Sequence, residues 1–138
     1  MGTDTLIGGA GSDIFLYGLG LEPGVSGFAT ARDTGVGPGN RDVILDFRQG
    51  EDKLDLSAYQ VITNPGGPPP VFLGTDPFQA SFAPQVRYTI EDGRTVVQVF
   101  SLSSLPEPGT PPSVPEASTG EIELVGKYRL AVDDFILA

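Results

Sequence analysis

The chain has 138 residues, with 8 Lys and Arg against 18 Asp and Glu, a formal charge of −10, and neither His nor Cys. That balance offers no basic surface to a nucleic acid and repels an anionic membrane, while the missing residue types exclude disulfides, thiolate sites, zincin motifs and Ser–His or Cys–His nucleophile pairs. With 39% hydrophobic residues broken into short runs by 19 Gly and 13 Pro, the pattern predicts a single all-β domain over residues 1–138.

Excess carboxylate opposes compaction through self-repulsion, which a bound cation relieves. No apolar window reaches the length of a membrane span and no N-terminal signal peptide is visible, so membrane insertion is not expected.

The first informative stretch is Gly8-Gly9-Ala10-Gly11-Ser12-Asp13-Ile14-Phe15-Leu16. It spells G-G-x-G-x-D-x-U-x, the unit of a calcium-binding parallel β-roll. The glycines allow left-handed backbone angles in a turn whose carbonyl oxygens point inward. Asp13 adds a carboxylate, and Ile14–Leu16 follows as a short strand with Phe15 inward. Gly2-Thr3-Asp4-Thr5-Leu6-Ile7 fits the last six positions of the same unit, with Gly2 on Gly11, Asp4 on Asp13 and Leu6 on Phe15. The chain therefore reads as the C-terminal piece of a longer protein, opening inside a repeat array.

Residues 18–41 form a long Gly-rich excursion with a brief predicted strand near Val25–Ala29, carrying Asp33 and ending at Asp42. In the segment that follows, Val43, Leu45 and Phe47 alternate with Ile44 and Asp46 as a strand requires. Gln49–Asp52 makes a turn, Lys53–Leu56 a second strand, and Ser57–Tyr59 the start of a helical turn. Residues 63–70 form a proline-rich turn or linker, before a short strand at Val71–Leu73. Val86–Glu91 and Thr95–Phe100 form a hairpin about Asp92-Gly93; whether Val97 and Val99 or Val96 and Gln98 share a face with Val86 and Tyr88 is open. The prolines of residues 106–115 bar a central strand. Glu121–Val125 alternates as a strand, and residues 130–138 close the chain with a helical turn and a strand.

The run D-x-I-x-D-F-x-x-G-E-D-K-L-D-L-S over residues 42–57, downstream of a G-G-x-G-x-D repeat, resembles the C-terminal module of RTX proteins. Similar in pattern are the C-terminal domain of serralysin-type metalloproteases and the terminal modules of alginate epimerases. The resemblance is specific over residues 2–17 and 42–59 and looser over 86–100 and 121–138. It implies the end of a parallel calcium β-roll (residues 1–17) continued by an antiparallel β-sandwich or roll cap (residues 42–138). The ending L-x-x-x-D-F-I-L, here Leu130 to Leu137, resembles the family's uncleaved signal for type I secretion, which implies the type I secretion machinery as a partner and an extracellular destination.

Carboxylate plus backbone carbonyls is the ligand set a hard divalent cation prefers. One coil of a β-roll takes two nonapeptides, so consecutive turns lie on opposite edges, and an ion sits between turns one coil apart. The expected calcium ligands are oxygens of Gly9, Gly11 and Asp13. The resemblance implies that acids just beyond the last repeat, here Asp33 and Asp42, complete the site, with Asp4 and Gly2 as further candidates. No G-x-S-x-G elbow or EF-hand spacing is present, and an Asp46/Asp55 pair reads as strand-end acids rather than a glycosidase dyad. The module is thus expected to be non-catalytic, serving calcium-dependent folding and export; the alternative is calcium-assisted binding of an acidic polysaccharide by a module of an extracellular enzyme.

Overall fold

Runs of two or three apolar-centred residues between turns are too short to stand alone as strands and must stack on equivalents from elsewhere in the chain. In a computed structural model, residues 4–17, 35–57, 69–81, 83–100, 109–115 and 118–137 are described. The predicted strand near Val25–Ala29 lies outside them, as do Gly2 and Asp33. The helical turn expected at 57–59 and the proline-rich segments 63–70 and 106–115 lie outside in part.

The strands are β1 (Thr5–Leu6), β2 (Ile14–Leu16), β3 (Asp42–Ile44), β4 (Lys53–Asp55), β5 (Val71–Phe72), β6 (Gln85–Glu91), β7 (Arg94–Phe100), β8 (Gly120–Leu124) and β9 (Phe135–Ile136). One sheet runs β1-β3-β8-β7-β6-β5 and the other β2-β4-β9. The chain alternates between the sheets, and β1, β3 and β8 are mutually parallel, as are β2, β4 and β9. Among the described residues three coils of a parallel roll result: β1–β2, β3–β4 and β8–β9. Segments expected to cap the roll, residues 42–57 and the C-terminus, continue it as further coils. The physical reason is that a coil needs an inward apolar residue on each strand, not a glycine-rich turn.

Register shows this directly. Leu6, Ile44 and Leu124 align on one sheet, and Phe15, Leu54 and Phe135 on the other. Nine residues separate Leu6 from Phe15, ten separate Ile44 from Leu54, and eleven separate Leu124 from Phe135. The turns thus lengthen along the roll, and the nonapeptide period disappears from the sequence while the stacking persists. Ile44, Leu54, Leu56 and Leu124 have no exposed surface, and burying each stabilises the fold by roughly 1.5–3 kcal/mol.

Between the second and third coils the chain inserts β5, β6 and β7. The hairpin turn at Asp92-Gly93 has positive φ at both residues, 51° and 78°, the requirement of a type I′ turn. It pairs Val86 with Val99 and Tyr88 with Val97, so Val97 and Val99 join the buried face and Gln98 turns outward. β7 then runs antiparallel to β8, making β8 the seam between the parallel roll and the antiparallel sheet. Phe72 of β5 packs on Tyr88, with ring centroids 6.3 Å apart, and on Phe135 at 4.9 Å. The inserted strands thereby close the core over the third coil. The C-terminal turn is a 3-10 helix, Val132–Asp134, leading into β9. The fold class is therefore all-β, a parallel roll continued by the antiparallel strands β7 and β6, with the short β5 added parallel to β6 at the edge. Among the described residues no helix is long and apolar enough to cross a membrane.

Candidate cation site and the carboxylate ladder

Each passage from the first sheet to the second makes a turn on one edge of the roll. These turns are residues 7–13, 45–52 and 125–134, stacked in coil order. The first is the glycine-rich one. Gly9 and Gly11 have φ of +88° and +95°, angles an L side chain resists, and no hydrogen bond reaches the carbonyl oxygens of Gly8 to Ser12 among the described residues. Asp13 closes this turn half-buried, and its Oδ2 is fully buried without a hydrogen-bond partner. A Cβ placed on Gly8 would come within 2.5 Å of that oxygen, so the absence of a side chain at Gly8 makes room for the carboxylate. A buried acceptor left unpaired is costly. Unpaired carboxylate oxygen beside free carbonyls is the donor set of a hard cation such as calcium, and the residues of this turn fit it.

The second turn differs. Asp46 Oδ1 accepts the Gly8 N–H at 2.8 Å and its Oδ2 the Gly9 N–H at 2.8 Å. These two amide bonds, Gly9 first, hold the Asp46 carboxyl below its ordinary range. Buried Asp52 accepts the Asp13 N–H at 2.9 Å through Oδ1 and the Arg48 N–H at 2.8 Å through Oδ2. On the opposite edge, buried Asp42 accepts the Asp4 N–H at 2.8 Å. Extending the strand register makes Asp42 the counterpart of Asp4, Asp46 of Gly8 and Asp52 of Asp13. Each of these three acids thus accepts the amide of its own counterpart one coil back.

The structure therefore brings Asp46 and Asp52, not Asp42, to the turn that holds Gly9, Gly11 and Asp13. Asp42 opens a strand of the first sheet, whereas Asp13 leads into the second. Asp4, at the start of β1, lies with Asp42. Gly2 and Asp33 lie outside the described residues. Asp55 accepts the N–H and hydroxyl of Ser57, at 3.0 and 2.6 Å, so Asp46 and Asp55 each serve nearby donors. Among the described residues no group of three or more acidic side chains is gathered closely enough to hold a metal by carboxylates alone; backbone carbonyls are the necessary complement. The sequence carried a signal for Asp42 and Asp46: Asp42-Val43-Ile44-Leu45-Asp46 repeats the Asp4-Thr5-Leu6-Ile7-Gly8 pattern, with acid where the first coil has glycine.

Between the second and third turns the contacts change again. Tyr128 donates its hydroxyl to the Phe47 carbonyl at 2.7 Å and stacks edge-on against the Phe47 ring, centroids 5.5 Å apart. Gln49 Nε2 donates to the Arg129 carbonyl at 2.6 Å and to Asp134 at 3.0 Å. The Phe47 and Arg129 turn carbonyls are here taken by side-chain donors.

A second polar cluster, missed by the sequence reading, lies on the outer face of the first sheet. Buried Arg41 donates to Glu123 from Nε at 3.1 Å and Nη2 at 2.8 Å, and from Nη1 to Glu121 at 3.1 Å. Arg94 also pairs with Glu123, and Gly37 N–H, Gln98 and Ser118 donate to Glu121. Burial pushes both glutamates up, but the donors and cations outweigh it and hold them below the usual range. Burial likewise opposes the Arg41 charge, and the two glutamates more than restore it. This cluster fixes the approach to β3 against β8.

Residues 1–65 match the model of the peptidase M10 serralysin C-terminal family. That region holds the first two coils and the acids that join them. No curated protein matches the chain. Among solved structures, the chain is similar to the AlgE6R3 subunit of the Azotobacter vinelandii mannuronan C5-epimerase, with 23% identity over 99% of this chain and a TM-score of 0.49. It is also similar to the AlgE6R2 subunit of the same enzyme, with 23% identity over 99% of this chain and a TM-score of 0.48. The chain spans 59% and 66% of those two structures.

Proposed function

We propose that this chain is a non-catalytic, calcium-binding module of RTX type, serving the calcium-dependent folding of an exported protein. The observation that carries the reading is the buried, unpartnered Oδ2 of Asp13 beside the free carbonyls of the glycine-rich turn. The family match over residues 1–65 supports the same reading. Asp13, Gly9 and Gly11 would hold the ion. Calcium, when bound, supplies the positive charge that offsets desolvation of the Asp13 carboxylate in a chain of net charge −10.

Export follows from the same coupling. The C-terminal segment proposed as a type I secretion signal builds the third coil, with Phe135 buried against Phe72. A secretion apparatus reads that segment only while the C-terminal edge of the roll at β9 is open, as it is where calcium is scarce. Calcium outside the cell then closes it, because a ligand that binds only the folded state stabilises that state by mass action.

Calorimetric titration with calcium, paired with melting followed by circular dichroism, tests the reading. The expected result is saturable binding and a rise in Tm with calcium, both abolished in Asp13→Asn. No heat and no change in Tm up to millimolar calcium would overturn it.

A further inference from the structure

In a roll of glycine-rich turns, ions hold successive turns together; the contact between the first and second coils here has another basis. We infer that this junction is closed without a cation, by the direct grip of Asp42, Asp46 and Asp52 on the backbone amides of the coil before. Three acids make four coil-to-coil bonds of 2.8–2.9 Å, to the N–H groups of Asp4, Gly8, Gly9 and Asp13.

Both Asp46 oxygens point at amides, and both Asp52 oxygens are likewise bound to N–H groups. A cation placed between these turns would face donors already turned toward the acids, and would have to displace them. Position 46 is decisive. Its counterpart in the first coil is Gly8 and in the third Gly126, so only the second coil offers a carboxylate there. The pattern is also directional. Asp133, the counterpart of Asp52, does not accept the Asp52 N–H, which instead donates to the Arg48 carbonyl at 2.8 Å. The first turn consequently has its Gly8, Gly9 and Asp13 amides sealed by acids of the second coil, while its own buried Asp13 Oδ2 stays unpartnered.

Amide hydrogen exchange resolved by residue, on the whole chain in excess chelator, tests this independently of whether the chain binds calcium. Val97 and Ile122, at the β7–β8 pair, report global opening. The expected result is that Gly8, Gly9 and Asp13 stay protected for as long as those two do. Asp46→Ala, a change at a half-buried position, is expected to speed exchange at Gly8 and Gly9 by roughly ten- to a hundredfold, the range of a charge-assisted hydrogen bond, with Val97 and Ile122 unchanged. Adding calcium is expected to leave that acceleration in place. Free exchange at Gly8, Gly9 and Asp13 in chelator while Val97 and Ile122 remain protected would overturn the inference. So would exchange in Asp46→Ala that matches the parent chain, or recovery of its protection on adding calcium. A null calcium titration, which would sink the calcium reading, leaves all of these outcomes intact.

Discussion

Replacing Arg41 by Met keeps most of the side-chain volume but removes the cation that three hydrogen bonds tie to Glu121 and Glu123. Both glutamates are buried, at 6% and 7% exposure, so two carboxylates lose their shared partner without gaining water. Breaking a buried pair in this way costs about 3–5 kcal/mol. Arg94 stays on Glu123, and Gly37, Gln98 and Ser118 stay on Glu121, which places the expectation at the low end, about 3 kcal/mol. For 138 residues the unfolding entropy is about 0.3 kcal/mol per degree, so Tm at neutral pH should fall by roughly 10 °C. The deficit should also depend on pH. In the parent chain the two glutamates are held below their unfolded values, so the stability they contribute is complete above the unfolded carboxylate range, about pH 4.3. That contribution is lost as pH falls through the lowered folded values. In Arg41→Met the glutamates protonate more readily, so the gap between the two proteins should narrow from pH 7 toward pH 4. Thermal melts by circular dichroism across that range make the measurement. A fall in Tm below about 3 °C at pH 7, under 1 kcal/mol, would refute the reasoning, as would a gap that does not narrow with acid.

Leu54 is fully buried and lies between Phe15 and Phe135 in register; Leu54→Ala should cost about 2–5 kcal/mol, and denaturant melts should show a lower midpoint with an unchanged slope. Gly8→Ala puts a methyl against the Asp13 carboxylate and should weaken calcium binding roughly ten- to a hundredfold, as displacing a ligand's support does. Calorimetry that shows parental affinity in Gly8→Ala would remove Asp13 from the proposed site.

The sequence by itself determined the elements whose signals are local. Alternating apolar residues and the Asp92-Gly93 turn fixed the hairpin. The glycines and aspartate of residues 8–13 marked the first turn, and the run from Asp42 to Ser57 marked two short strands. Those signals rest on backbone angles and side-chain period, which neighbours along the chain decide. Tertiary structure alone decided how many coils the roll has, because stacking needs only matching inward residues, and Leu6, Ile44 and Leu124 come from segments far apart in sequence. It likewise decided the hairpin face, choosing Val97 and Val99 through the pairing of β7 with both β6 and β8. The pattern repeat marked the positions of Asp42 and Asp46, but the partners of the acids were not legible beforehand. Asp46 and Asp52 look like ordinary turn acids until the register sets them beside the amides of Gly8, Gly9 and Asp13. Arg41 resembles any surface cation until β8 brings Glu121 and Glu123 against it. A carboxylate's partner is a matter of a few ångströms, and in a roll with turns of unequal length that distance is set by the stacking of coils rather than by spacing along the chain.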